Sequence, residues 1–206
     1  GFAKKSEVEL AKLLEHPHQQ VRQEAQFELA GRKESEAIKA FGKVATGSKN
    51  PIPVMHAIWG LEMVGRKTDW VVPLLKELST HESEVVRAQS LKALGGVAAF
   101  SDAAAVVRAR FTDSSAQVQY SAVIAYGHLC QVPVEITPHS EQDRISPVFD
   151  LLKMNADKDS YLRHAAVIAL QSHSSNPDDL WNVWLSLKNK YDTPAVRLGV
   201  LLALRR

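Results

Sequence analysis

Six apolar residues, Val21, Pro53, Val86, Val118, Leu162 and Val196, open helix-like runs at intervals of 32, 33, 32, 44 and 34 residues. A unit of that length cannot bury its own apolar face and completes its interior only against the units on either side. Aligned on these openers, the place four residues on holds Ala25, Ala57, Ser90, Ala122, Ala166 and Val200. Eight on stand Leu29, Leu61, Leu94, Tyr126, Leu170 and Leu204. Positions 0, 4, 7 and 8 share one face of a 3.6-residue helix, so the small column admits a neighbouring helix and the large one supplies burial. Places five and six are apolar in five of the six units each, which predicts a helix covered on several sides.

A more amphipathic helix precedes each run, over about 6–15, 35–46, 68–79, 102–111, 142–155 and 177–190. Ser6, Ser35, Thr68, Ser101 and Asn176 are its expected N-caps, because their side-chain oxygens can accept from free first-turn N–H groups. Pro73 and Pro147 are expected to kink or restart their helices. Links inside a pair are short, as in His16-Pro17-His18 and Thr112-Asp113-Ser114, which implies antiparallel partners. The prediction is an all-α chain: an α-α superhelix of about six helix pairs, with residues 1–206 forming one repeat domain. The longest interval contains an insertion, 131–140, read as a loop at one edge. The chain starts at Gly1-Phe2 and stops within an apolar helix, so it is expected to be a segment of a longer protein.

Bulk properties narrow the function. With 25 basic and 23 acidic residues, the charge is too balanced for a dedicated nucleic-acid binder, which needs a basic stripe. No apolar run reaches the ~20 residues that span a bilayer. The lone Cys130 leaves no disulfide framework or multi-cysteine metal site. Eight histidines raise a metal question, but His16 and His18 flank a proline with no carboxylate or thiol cluster beside them. No metal and no cofactor are therefore expected in this segment, and no nucleophile elbow, P-loop or paired-carboxylate arrangement is present.

The sharpest cluster comprises Arg22, Glu24, Gln26, Phe27, His56 and Trp59. Glu24 and His56 share the column three places after the opener, and adjacent helices stack ~10 Å apart, so their side chains are expected to meet. Phe27 and Trp59 share the column six places on and are expected to stack or line a groove. Two readings stand: a hydrogen-bond network between repeats, or a groove for a polar segment or a sugar. The expected concave face carries Gln23, Met55, Ala88, Tyr120 and His164, two places after the opener, with Glu62 and Gln171 further along. Trp181 and Trp184 are expected to share a face of the last outer helix.

The stretches His81-Glu82-Ser83-Glu84-Val85-Val86-Arg87 with Ser90, and Asp157-Lys158-Asp159-Ser160-Tyr161-Leu162-Arg163 with Ala166, resemble the HEAT repeat. That resemblance implies a right-handed superhelix and a ladder between units, formed by turn aspartates (Asp113, Asp157, Asp192) and the arginines after the openers (Arg22, Arg87, Arg163, Arg197). Val54 and Gln119 depart from the arginine pattern, and His16 and His81 stand in aspartate places.

More narrowly, Leu13 to Pro17, Val21 to Leu29 and His56 to Leu61 resemble the helical region of large planctomycete-type proteins. Those combine a sugar-dehydrogenase-like propeller with a c-type haem domain and are usually exported. The likeness implies a scaffold or spacer between redox domains and a periplasmic or exported location; the segment itself has no haem-attachment motif.

The expected function is a non-catalytic protein-interaction or scaffold module, monomeric, with a protein or adjacent domains of its own chain as partner. Two alternatives remain, an alkylated-DNA glycosylase-like nucleic-acid binder and a bilin-lyase-like HEAT protein. A fold does not fix an activity.

Overall fold

A computed structural model describes residues 1–131, 140–173 and 177–205, the side chains of Phe100 and Pro177 apart. Among the described residues there are twelve α-helices and no strand: α1 (Glu7–Leu13), α2 (Gln19–Ala30), α3 (Glu34–Gly47), α4 (Pro51–Gly65), α5 (Val72–Leu78), α6 (Glu84–Val97), α7 (Phe100–Arg108), α8 (Ala116–Leu129), α9 (Glu141–Asn155), α10 (Ser160–His173), α11 (Pro177–Tyr191) and α12 (Pro194–Leu204). They form two compact units, Gly1–Ala98 and Ala99–Arg206. In the first, α1 packs on α2, α3 on α4 and α5 on α6, while the second helices form a row, α2 on α4 on α6. In the second, the pairs are α7 with α8, α9 with α10 and α11 with α12, and the row runs α8, α10, α12. Each unit is thus three helix pairs of an all-α, HEAT-like repeat.

The columns explain the row. Every residue four places after an opener is buried, from Ala25 to Val200. In the next column but three, Leu29, Leu61, Leu94, Tyr126 and Leu170 are buried and Leu204 is half-buried. Full burial of one such leucine is worth about 1.5–3 kcal/mol, so these columns supply much of the cohesion between repeats. The small residues set how close the row can pack. A Cβ built on Gly127 of α8 would lie 2.7 Å from the Ala169 Cα of α10. One built on Gly60 of α4 would lie 2.2 Å from the Phe41 ring of α3.

Helix starts follow capping chemistry, with corrections. Ser6 and Glu9 form a capping box at α1. Thr68 caps a short 3₁₀ turn, Asp69–Val71, that leads into α5. Ser35 and Ser101 lie inside α3 and α7, whose N-caps are Lys33 and Ala99 without side-chain bonds. Pro73 starts α5, where its missing N–H costs nothing, and does not kink it. Pro147 does lie inside α9. Asn176 and residues 132–139 of the insertion lie outside the described residues. Ser140, at the far end of that insertion, makes a capping box with Asp143 that opens α9.

Candidate functional site

The turns between paired helices share one device. Five places before the opener, His16, Ser48, His81 and Asp113 each accept a hydrogen bond from the backbone N–H two residues on, at 3.1, 3.2, 3.0 and 2.9 Å. Imidazole Nδ1 here does the work of a carboxylate oxygen, which explains how histidine stands in an aspartate place. The residue after the opener then folds back onto the same turn. Arg22 Nη1 donates to the carbonyls of His16 (2.8 Å) and Pro17 (2.9 Å), and Arg87 Nη1 to those of His81 and Glu82, both at 2.9 Å. Gln119 Nε2 reaches the Asp113 carbonyl at 2.6 Å. Arg163 pairs with Asp157, and Arg197 Nε with Asp192 at 3.3 Å. These bonds tie each of these turns to the second helix of its own repeat.

Arg22 also reaches into the next repeat. Its Nε donates to His56 Nε2 at 3.1 Å, and His56 Nδ1 lies 2.8 Å from Gln26 Oε1. A guanidinium has only donors, so Nε2 must present its lone pair and the proton sits on Nδ1, donating to Gln26. Gln26 Nε2 in turn donates to Met63 Sδ at 3.6 Å. Desolvation, helped by the Arg22 charge, holds the His56 imidazole below its ordinary pKa and therefore neutral. The Trp59 ring stands edge-on to His56, centroids 5.1 Å apart, and its Nε1 donates to Gln89 of α6 at 2.9 Å. Both imidazole nitrogens, the amide and the indole N–H are thus satisfied within the stack.

Of the six residues singled out in the sequence, the structure brings together Arg22, Gln26, His56 and Trp59. It leaves out Glu24 and Phe27. Glu24 is exposed, and no hydrogen bond or ion pair joins it to His56 among the described residues. The physical reason is direction. Place five of one second helix leans toward place three of the next, so Gln26, not Glu24, meets His56. Phe27 is 51% exposed and makes no ring contact with Trp59 among the described residues.

Places two and six of the second helices form a different, outward stripe. In the first unit it carries Gln23 and Met55, both half-buried, Phe27, Trp59 and the exposed Lys92. Ala88 is a correction: it is buried. Glu62 is half-buried, 3.7 Å from Arg66. In the second unit the stripe carries half-buried Tyr120, Ile124, Ile168 and Leu202, and the exposed His164. Gln171 Nε2 donates to the Ala203 carbonyl at 3.4 Å.

Other features escaped the sequence reading. A groove of about 680 Å³ runs between α1 and α3, walled by Val8, Ala11, Ala40 and Val44 with lysines and glutamates at its rim. Arg144 is fully buried, its Nη2 donating to the carbonyls of Leu129 (3.3 Å) and Cys130 (2.6 Å) at the end of α8. Burial pushes the Cys130 thiol up to about 12, so it is protonated and inert at neutral pH. The Trp181 and Trp184 rings of α11 are tilted by 37° against each other, centroids 5.0 Å apart. Among the described residues no cluster of three or more His, Cys, Asp or Glu is placed to hold a metal ion, and no helix is long and apolar enough to cross a membrane.

Residues 71–171 match a protein-family model described as HEAT repeats. Two crystal structures of engineered proteins, each solved as a structural-genomics target, share the fold. The first has a TM-score of 0.58 at 18% identity, covering 98% of this chain and 96% of its own. The second has a TM-score of 0.53 at 18% identity over 97% of this chain, which spans 57% of that protein's length. No curated protein matches the chain.

Proposed function

We propose that this chain is a protein-interaction scaffold whose working surfaces are the outward stripes that the second helices form within each of its two units. The observation that carries this is the division between columns. Places four and eight are given to burial, and the polar groups of the Arg22–His56–Gln26 cluster are consumed inside the stack. Large side chains at places two and six, Phe27, Trp59, Met55, Tyr120, Ile124 and Ile168, stay at least partly open. Aromatic and methionine side chains on a rigid support are the anchors that protein interfaces favour. Among the described residues the stripe carries little charge, Lys92 being its exposed cation in the first unit, which suits an uncharged or mildly amphipathic segment more than a nucleic acid. In a longer parent, the same rigidity would let the segment act as a spacer between domains, and the partner would then be a neighbouring domain.

Photo-crosslinking tests the proposal. A crosslinking amino acid at position 27 should capture a discrete partner in the native cell, and Trp59→Ser should abolish capture. A probe at Arg66, off the stripe, should capture little. Equal yield from positions 27 and 66 would refute the assignment of the working face.

A further inference from the structure

A second kind of surface lies apart from the stripes, on the first helices of the first unit. The groove between α1 and α3, about 680 Å³, has the size of a ligand-binding cleft. Its floor is apolar: Val8 is 65% exposed, and Ala11, Ala40 and Val44 are half-buried. One alanine from each helix, Ala11 and Ala40, keeps it open, since a larger side chain at either place would fill the space.

The rim is charged, and its charges are sorted by end. α1 and α3 run in the same sense, because the links 14–18 and 31–33 each turn the chain back. Glu7 and Glu36 stand in the first turns of the two helices. Toward the other end Lys12, Lys39 and Lys43 outnumber Glu15. Among the described residues none of these six forms an ion pair. An apolar floor inside a rim of unmatched charge is the pattern of an interaction site.

The walls decide what kind of chain fits. Both are α-helices whose backbone groups are engaged within the helix, so the groove offers side chains alone. An extended segment would turn unsatisfied N–H and C=O groups toward the apolar floor, whereas a helix satisfies its own. An amphipathic helix would lay anchors at i, i+3 or i+4, and i+7 along that floor. The rim then sets its direction. Acidic residues belong beside Lys12, Lys39 and Lys43, and basic ones beside Glu7 and Glu36. A helix is itself favoured by acidic residues in its first turn and basic ones in its last, so the helix that satisfies both demands lies antiparallel to α1 and α3.

We infer that the α1–α3 groove docks an amphipathic helix of a partner protein, acidic in its first turns and basic in its last. Two synthetic helical peptides with the same leucine face and opposite charge order test this, each labelled and titrated with the 206-residue chain by fluorescence anisotropy. The acid-first peptide should bind about tenfold more tightly, because reversal turns attraction into repulsion at several exposed rim positions. Lys39→Glu combined with Lys43→Glu, both at exposed residues that the fold does not bury, should remove that preference. Val8→Ser should weaken both peptides, since they share the apolar floor. Absence of binding, equal binding of the two peptides, or a preference that survives the lysine reversal overturns the inference. Sedimentation of the chain alone supplies the other arm: a dimer split by the double lysine variant would make a second copy the occupant, which also overturns it.

Discussion

Replacing Gly127 by alanine tests how tightly the second-helix row is locked. Alanine is the better helix former by about 1 kcal/mol, so propensity alone predicts a more stable protein. The structure predicts the reverse. The new Cβ would lie 2.7 Å from the Ala169 Cα and 3.1 Å from its Cβ. Carbon atoms rest about 3.5–4.0 Å apart, so α8 and α10 must separate by roughly 1 Å along this line. The obstacle is backbone and has no rotamer to escape into. Overpacking of this kind costs about 1–3 kcal/mol, and a backbone clash belongs at the upper end, which leaves a net loss of about 1–2 kcal/mol. For a chain of this size, 1 kcal/mol moves Tm by about 2–4 °C, so Gly127→Ala should melt about 2–8 °C lower. Gly96, in the corresponding last turn of α6, is the control. Its added Cβ would meet only the flexible Glu62 carboxylate at 3.4 Å, so Gly96→Ala should keep most of the propensity gain and raise Tm by a few degrees. Thermal unfolding followed by circular dichroism separates the two. A Gly127→Ala protein that melts at or above the parent would show that helix contact does not set this spacing, and the packing account of the repeat would fail with it.

Three further outcomes follow from the geometry. His56 and His173 are both held below the ordinary imidazole pKa, His173 at about 4, chiefly by desolvation. The unfolded chain therefore binds more protons than the fold below about pH 6.5, so stability should be complete above that pH and decline as it falls toward 4; chemical denaturation at pH 7.5 and 5 checks this, and equal midpoints would contradict it. Ala156, with φ 46°, holds a left-handed conformation that glycine adopts without strain, so Ala156→Gly should stabilise by about 0.5–1 kcal/mol where the same change in an exposed helix interior destabilises. Arg144→Met should destabilise by about 2 kcal/mol or more, because the Leu129 and Cys130 carbonyls lose a charged donor; a thiol reagent at neutral pH should then reach Cys130 faster than in the parent, whose thiol reacts only on unfolding.

The register of the repeat was legible because the columns at places four and eight carry size information that survives in a single chain. The contacts between columns were not. Glu24 and His56 share a column, and a sequence alignment suggests that like places meet. In a stack, however, each helix has a forward and a backward side, and Gln26 is the residue that leans forward. Arg144 was missed because a cation in an amphipathic pattern reads as solvated; only the C-terminal carbonyls of α8 reveal why it is buried. The histidines at positions 16 and 81 read as departures from an aspartate pattern, yet their Nδ1 atoms make the same turn bond. Chemistry was conserved there while residue identity was not, and a letter-by-letter comparison does not see it.

The same division of columns bears on how such a chain acquires a partner. Places four and eight tolerate little change, since each lies between two helices. Places two and six vary more: Met55 and Trp59 stand there in α4, Ala88 and Lys92 in α6, His164 and Ile168 in α10, and of these only Trp59, bonded to Gln89, and the buried Ala88 are seen tied into the stack. Residues as different as lysine and tryptophan occupy one column without disturbing the helix that bears them. At the exposed places of the stripe, such as Lys92 and His164, side-chain chemistry can therefore vary with little effect on cohesion between repeats. Phe27 makes the point sharply. It is half-exposed in a helix whose stability rests on Ala25 and Leu29, both fully buried. The fold does not depend on hiding Phe27, which leaves its ring open for the contact proposed for the stripe.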